Sequence, residues 1–262
     1  MSKPLIPAQR RERIQAYMAT RKIVATADLC ELLEVSEATV RRDLEWMEGR
    51  GLIERTHGGA ILSERVNLEQ EYKQRAVRQI EEKRRIGSLA ASLIEDGDII
   101  FINSGTTTTQ LIRHIRSDAN VTVITNNLIA VLEAGDVDYE ILLLGGSFQS
   151  KSNSVAGRFA IQNLSQVYAN KVFIGVDGMS VKHGCTVPSN AEAEIVHLML
   201  ERTQGAVIVL ADHSKWGVVS NFEVAAIHKV NKIITDSGLD SAAQSALAAR
   251  SVELLVAETN NR

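Results

Sequence analysis

Val24 to Asp43 reads V-A-T-A-D-L-C-E-L-L-E-V-S-E-A-T-V-R-R-D, and the fold of the first sixty residues turns on this stretch. Thr26 is a plausible N-cap for a short helix that turns Leu29, Leu32 and Leu33 inward and stops near Val35. Ser36 then caps a further helix, with Glu37 placed favourably against its positive end. Val40, Leu44 and Met47 recur there at i, i+4 and i+7, and Gly49 to Gly51 end it. Upstream, apolar spacing from Pro7 to Thr20 puts Ile14, Tyr17 and Met18 on one helical face. Three helices with a tight break before the last make a helix-turn-helix pattern.

Burying Val40, Leu44 and Met47 leaves Glu37, Ala38, Thr39, Arg41, Arg42 and Glu45 for solvent or a partner, next to the capping Ser36, which joins the candidate DNA-binding set. Short polar residues near a helix start suit base edges, and arginines suit guanine edges or phosphates. A solvated face with a chance Arg pair is the plain alternative, and the preceding helix and cap weigh against it. Downstream, Leu52 to Arg55 reads as a strand and Thr56-His57-Gly58-Gly59-Ala60 as a turn into a second one. Such a wing lets Arg55, His57, Gly58 and Gly59 follow a phosphate backbone or minor groove.

Charge is uneven along the chain. Residues 1–85 carry 17 Lys/Arg against 14 Asp/Glu, and residues 86–262 carry 12 against 18. A mildly basic head on an acidic body is compatible with nucleic-acid binding, although the motifs carry the case. The 262 residues are 45% apolar and 23% charged, with three prolines, which excludes collagen-like and long disordered classes. Nowhere do 18 apolar residues run together, and Met1 to Arg13 lacks an apolar signal region. Cys30 and Cys185 fit neither a disulfide framework nor a metal motif. No histidine spacing suits a metal. A soluble, cytoplasmic protein without cofactor or membrane contact is expected.

Residues 63–82 turn highly charged and read as a linker, with the boundary near Ser63 to Asn67. The expected division is therefore 1–62 head, 63–82 linker and 83–262 body. Helical spacing returns at Ile86, Leu89, Ala90, Leu93 and Ile94, with Gly97 as the stop. Strands are expected at 99–102, 121–125, 141–144, 172–176, 207–210, 232–235 and 252–256, with amphipathic stretches between them. That alternation of near-continuous apolar strands with helices predicts a mostly parallel α/β sheet.

Ligands of such sheets bind at the carboxyl ends of the strands. Those ends hold Asn103-Ser104-Gly105-Thr106-Thr107-Thr108, Thr125-Asn126-Asn127, Gly145-Gly146, Asp177-Gly178 and Asp212-His213-Ser214-Lys215. All are small or polar. The first joins a strand to a helix starting around Thr107. Its backbone N–H groups and hydroxyls form an anion site, or Thr106 simply caps a βα turn. Neither G-x-x-x-x-G-K-[ST] nor G-x-G-x-x-G occurs. Lys215 is the best cationic partner for a phosphate, the alternative being a solvated loop lysine. Asp177 accepts from a sugar hydroxyl or caps its own loop. Glu192 and Glu194 begin a helix, where acids stabilise the terminus anyway.

The 24–43 stretch, the T-V-R-R-D-L run and the following H-G-G-A resemble the DeoR family of bacterial transcriptional regulators. In the body, S-G-T-T-T, T-N-N, L-G-G, G-V-D-G and A-D-H-S-K-W-G look like that family's effector-sensing domain. The resemblance implies a winged helix-turn-helix domain joined to an α/β domain similar to ribose-5-phosphate isomerase and the CoA transferases. It also implies a repressor of a sugar-utilisation operon, which reads a double-stranded DNA operator and senses a phosphorylated sugar at the S-G-T-T-T loop. Asn103 stands where many relatives have an acidic residue, so the sugar-facing contacts stay open. Paired half-sites predict a homo-oligomer, dimer or tetramer. The alternative is a phosphosugar isomerase or deaminase with an accessory DNA-binding head, for which Glu192, Glu194 and Asp177 are the only acid/base candidates and none sits in a catalytic motif.

Overall fold

The computed structural model describes residues 5–21, 23–50, 53–56, 58–62 and 72–258, divided into two units, Met1–Gln70 and Glu71–Arg262. In the first unit the helices are α1 (Pro7–Arg21), α2 (Thr26–Leu33) and α3 (Glu37–Glu48), and the strands β1 (Ile23–Ala25), β2 (Ile53–Thr56) and β3 (Gly59–Leu62). Ile14, Met18, Leu29, Leu33, Val40, Leu44 and Met47 close the core together with Val24, Ile53 and Ala60. Fully burying a side chain of this size contributes about 1.5–3 kcal/mol, so the apolar stripe suffices to seat α3. Tyr17 packs against that core only partly buried. Thr26 is the first residue of α2 rather than its cap. Ala25 holds that position because the chain leaves β1 in extended conformation directly into the helix.

Strand β1 escaped the sequence reading because three residues are too few for a period. It pairs antiparallel with β3, and β3 pairs with β2. Gly59 lies opposite Ala25, where a Cβ would stand 2.0 Å from the Val24 carbonyl oxygen. The second glycine of H-G-G is thus required by a strand that approaches too closely for any side chain. His57 and the expected boundary at Ser63 to Asn67 lie outside the described residues.

The second unit begins with α4 (Tyr72–Val77) and α5 (Ile80–Ala91). The expected linker, residues 63–82, overlaps both helices. Tertiary contacts hold it instead: Lys83, 3% exposed, donates from Nζ to the carbonyls of Arg75 and Arg78, both at 2.6 Å. Helix α5 ends at Ala91, earlier than expected. Gly97, at φ +91°, instead serves the turn into β4, its N–H donating to Asn120 O at 2.6 Å.

Beyond α5 the strands are β4 (Ile99–Ile102), β5 (Thr122–Thr125), β6 (Glu140–Leu143), β7 (Ser147–Gln149), β8 (Ser154–Ala156), β9 (Ala169–Gly175), β10 (Gly178–Ser180), β11 (Gly184–Val187), β12 (Thr203–Leu210), β13 (Phe222–Ala225), β14 (Lys232–Asp236) and β15 (Glu253–Ala257). The helices are α6 (Thr106–His114), α7 (Leu128–Glu133), α8 (Arg158–Leu164), α9 (Asn190–Glu201) and α10 (Ser241–Ala248). All seven expected strands join one parallel sheet in the order β15-β14-β12-β9-β4-β5-β6. One face carries α5, α6 and α7 through Ile86, Leu111, Ile112 and Ala130. The other carries α8, α9 and α10 and a small antiparallel sheet, β10-β11-β13.

The order reverses at β4. Successive strands β5 and β6 lie to one side of it, and β9, β12, β14 and β15 to the other. A crevice opens at such a switch point, outside the carboxyl ends of β4 and β9. No helix among the described residues is long and apolar enough to cross a membrane.

Candidate functional site

In the first unit, packing of α3 through its apolar stripe turns Ser36, Glu37, Ala38, Arg41 and Arg42 to solvent, with Thr39 half-buried. Ser36 and Thr39 share a hydroxyl–hydroxyl hydrogen bond of 3.0 Å, and no side chain caps the helix start. Arg41 pairs with Glu37 one turn earlier at 2.6 Å, so its guanidinium is held along the helix. Arg55 on β2 reaches Glu45 at 3.2 Å, and its backbone N–H donates to Glu48 Oε1. The α3 start, the α2 start and the wing enclose a groove lined by Thr26, Ala27, Glu37, Arg41, Arg55 and Gly58. The Thr26 N–H donates to Gly58 O at 2.8 Å, tying the wing turn to α2.

Asp43, the last residue of T-V-R-R-D, does something its spacing did not announce. It is 1% exposed and accepts from Arg10 Nε at 2.7 Å and Arg11 Nε at 3.0 Å. A buried carboxylate needs such partners, and these two pin α3 to α1. Arg11 and Arg50 also stack on the two-ring face of Trp46, each 4.0 Å from its centroid.

In the second unit the site sits at the switch point. Asn103, directly after β4 and 4% exposed, spans to the end of β9: its Oδ1 accepts from Gly175 N at 2.8 Å and its Nδ2 donates to Gly175 O at 2.9 Å. Both ends of the amide are thereby used in joining two strands. Ser104 N donates to Asn126 Oδ1 at 2.8 Å, and Asn126 Nδ2 donates to Val155 O at 3.0 Å. Asn126 therefore holds the first loop against the β7–β8 hairpin.

Helix α6 begins at Thr106 with Gly105 as its N-cap, and no side chain caps it. Thr106 is the first helical residue and not the expected cap, and the Thr108 and Thr109 hydroxyls turn to Gly105 O, at 3.1 and 2.8 Å. Thr108 also donates to Asn103 O at 2.8 Å, which folds the loop back on itself. The first N–H groups of α6 thus keep the uncapped, positive end that favours an anion.

A small cavity opens here, lined by Arg75, Asn103, Ser104, Asn126, Ser152, Gly175, Asp177, Val187, Glu192 and Val196. Of the strand-end residues expected to bind the ligand, Asn103, Ser104, Asn126 and Asp177 line it. Gly105, Thr106 and Thr107 follow in the adjoining helix start, and Thr107 is buried. Thr108 and Thr125 are buried in structural hydrogen bonds, Thr125 Oγ1 donating to Ile102 O at 2.6 Å. Gly145 and Gly146 are exposed and are not among the lining residues. Gly146 adopts φ +151°, where a Cβ would lie 2.6 Å from Ala156 O, so it serves the turn into β7. Lys215, in a 3-10 turn from His213 to Lys215, is half-buried and also outside the lining.

The cation in the cavity is Arg75, which the sequence reading passed over. Its Nη1 pairs with Asp177 Oδ1 at 3.0 Å. Nothing local marks it, since the stretch around it is rich in charge and the partner lies 102 residues away. Glu192, left as a helix-terminal acid, also comes to the cavity, its N–H accepted by Ser189 Oγ at 3.3 Å. Behind Arg75 the Lys83 ammonium is pushed down to about 8 by burial, which outweighs the nearby Asp212 carboxylate; Lys215, Arg75 and Arg78 add to the lowering. Lys215 thus contributes field close to the α4–α5 turn.

A family model described as the DeoR-like helix-turn-helix domain matches residues 10–66, and one described as the DeoR C terminal sensor domain matches residues 78–237. The HTH-type transcriptional regulator GlpR of Haloferax volcanii is 33% identical over 237 residues, covering 90% of this chain and 92% of its own. The HTH-type transcriptional repressor GlcR of Bacillus subtilis is 36% identical over 243 residues, covering 92% and 93%. Among solved structures, ribose 5-phosphate isomerase A of Methanocaldococcus jannaschii matches 53% of this chain and 55% of its own, at 16% identity and TM-score 0.38. With both family models matched in chain order and regulators aligned nearly end to end, this chain belongs to the DeoR family of transcriptional regulators, with a helix-turn-helix head and a C-terminal sensor domain.

Proposed function

We propose that the protein is an operator-binding repressor of a sugar-utilisation operon, controlled by a phosphorylated sugar bound in residues 71–262. The observation that carries the effector half is the uncapped start of α6 beside a polar cavity at the sheet's switch point. Uncapped helix starts attract phosphate, and the surrounding Ser104, Asn126 and Asp177 side chains suit hydroxyls. For the DNA half, Ser36, Glu37, Ala38, Thr39, Arg41 and Arg42 are the base-reading and phosphate-reading set, supported by Arg55, Gly58 and Gly59 of the wing. His57 belongs to the same proposal on sequence grounds. The name of GlcR supports the repressor sign.

The functional division is a head to residue 62, a sensor body and a short connector between them. As a cytoplasmic regulator it acts as a dimer or tetramer on repeated half-sites. An enzymatic role is disfavoured, since the relatives aligned nearly end to end with this chain carry the names of transcriptional regulators. The test uses full-length protein on operator DNA selected from its own upstream region, followed by fluorescence anisotropy while hexose and pentose phosphates are titrated. A tenfold fall in affinity corresponds to about 1.4 kcal/mol of differential binding. Intact DNA binding that no sugar phosphate alters would overturn the sensing half.

A further inference from the structure

Arg75 and Asp177, both in the cavity lining, form an ion pair at 3.0 Å. Both are largely shielded, with side chains 17% and 14% exposed. The cavity's free volume is about 10 Å³, room for about one water molecule. A sugar phosphate therefore enters only if lining side chains move, and Arg75 is the cation among them. Arg75 is also incompletely satisfied: its Nε is buried without a hydrogen-bond acceptor. A buried donor left unmade is costly, and a guanidinium offers Nε–H and Nη–H as a parallel pair suited to an oxyanion. Asp177 takes only the Nη1 side at 3.0 Å.

The carrier of Arg75 matters as much as the charge. Helix α4 has six residues and is the first element after the wing strand β3, with residues 63–71 between Leu62 and Tyr72. Among the described residues, its polar ties to the body run through two side chains, Arg75 and Lys83. The Arg75 side chain pairs with Asp177, while the Arg75 and Arg78 carbonyls accept from Lys83. A ligand that recruits Arg75 thus acts on the segment through which the chain passes to the head.

Resting on the effector reading above, we propose that Arg75 is an exchangeable latch. Without ligand its guanidinium is held by Asp177. The oxyanion of a phosphorylated sugar takes that guanidinium, filling the unmet Nε–H, and frees Asp177 to accept from a sugar hydroxyl. The exchange shifts α4 and so transmits occupancy towards the connector. Arg75, rather than Lys215, is then the side-chain cation that binds the anion.

Full-length wild type, Arg75→Ala, Arg75→Lys and Asp177→Asn are titrated by calorimetry with inorganic phosphate, glucose 6-phosphate, fructose 6-phosphate and ribose 5-phosphate at constant ionic strength. Wild type binds at least one sugar phosphate; Arg75→Ala loses about tenfold or more, and Arg75→Lys recovers only part because ammonium lacks the fork. Asp177→Asn binds inorganic phosphate more tightly than wild type, since no carboxylate competes for the guanidinium; a purely structural role for the pair gives no such gain. In operator anisotropy, Arg75→Ala stays bound to DNA at ligand concentrations that release wild type. Circular dichroism checks that each variant is folded, and if Arg75→Ala is not, Arg75→Lys and Asp177→Asn decide. Wild-type ligand affinity in the Arg75 variants, or unchanged phosphate affinity in Asp177→Asn, overturns the latch while leaving the effector reading intact. Failure of wild type to bind any sugar phosphate overturns both.

Discussion

Two residues show how little of a side chain's job is visible from its type. Asp43 sits within a charged run on α3, where a solvated carboxylate would pass unnoticed, yet it is buried between Arg10 and Arg11. Replacing it with Asn keeps one acceptor oxygen but removes the charge and sets an NH2 donor against the second, partly shielded guanidinium. Charge-assisted hydrogen bonds of this kind contribute about 1.5–3 kcal/mol, so Asp43→Asn should lower head stability by about that amount. Urea unfolding in a Trp216→Phe background, where Trp46 fluorescence reports the head alone, measures it. Gly59 is the opposite case, defined by what it lacks. A methyl group at Gly59 would collide with the Val24 carbonyl oxygen, so Gly59→Ala should unpair β1 from β3 and abolish operator binding. Near-native affinity of that variant in a gel shift would show that the wing tolerates the displacement.

Among the elements, α3 and the α4–α5 turn carry the consequences. Arg41 is tied to Glu37, whereas Arg42 is exposed with no ion pair among the described residues. Arg42→Ala should weaken operator binding by about 1–3 kcal/mol if it makes a bidentate base contact. If it contacts phosphate instead, the slope of log affinity against log salt falls by about one. Native affinity at both low and high salt would remove Arg42 from the interface.

In the α4–α5 turn, burial lowers the Lys83 pKa from its ordinary 10.5 to about 8. Between those values the unfolded chain holds the proton and the folded chain releases it, so stability rises with pH across this window. A neutral amine still donates to the Arg75 and Arg78 carbonyls. The thermal midpoint of wild type, relative to Lys83→Met, should therefore climb between about pH 7.5 and about pH 9.5; a flat or falling difference would contradict it. Lys83→Met should itself cost about 1–3 kcal/mol by leaving those carbonyls without a donor.

At the scale of the whole molecule, control is a coupling between two binding events. Whatever factor the effector applies to operator affinity, operator must apply to effector affinity. Titrating the sugar phosphate into free protein and into the operator complex should return the same factor as titrating operator with and without effector. Unequal factors would mean that the ligand acts elsewhere, for example on assembly.

Much of this was written along the chain. Val40, Leu44 and Met47 at helical spacing determine which face of α3 is free, because burial of one stripe leaves the other no alternative. Seven apolar runs separated by helical stretches determine the parallel sheet, since parallel strands need crossovers and both faces covered. The small polar residues at the carboxyl ends of β4, β5 and β9 follow from the same pattern. What a linear pattern cannot hold is strand order, and strand order decides which of those ends meet. Only the reversal at β4 sets Asn103 against Gly175 and leaves Gly145 and Lys215 outside the cavity. The same holds for Arg75, whose partner stands 102 residues away: a charge has no period, and its role is set by what the fold places across from it.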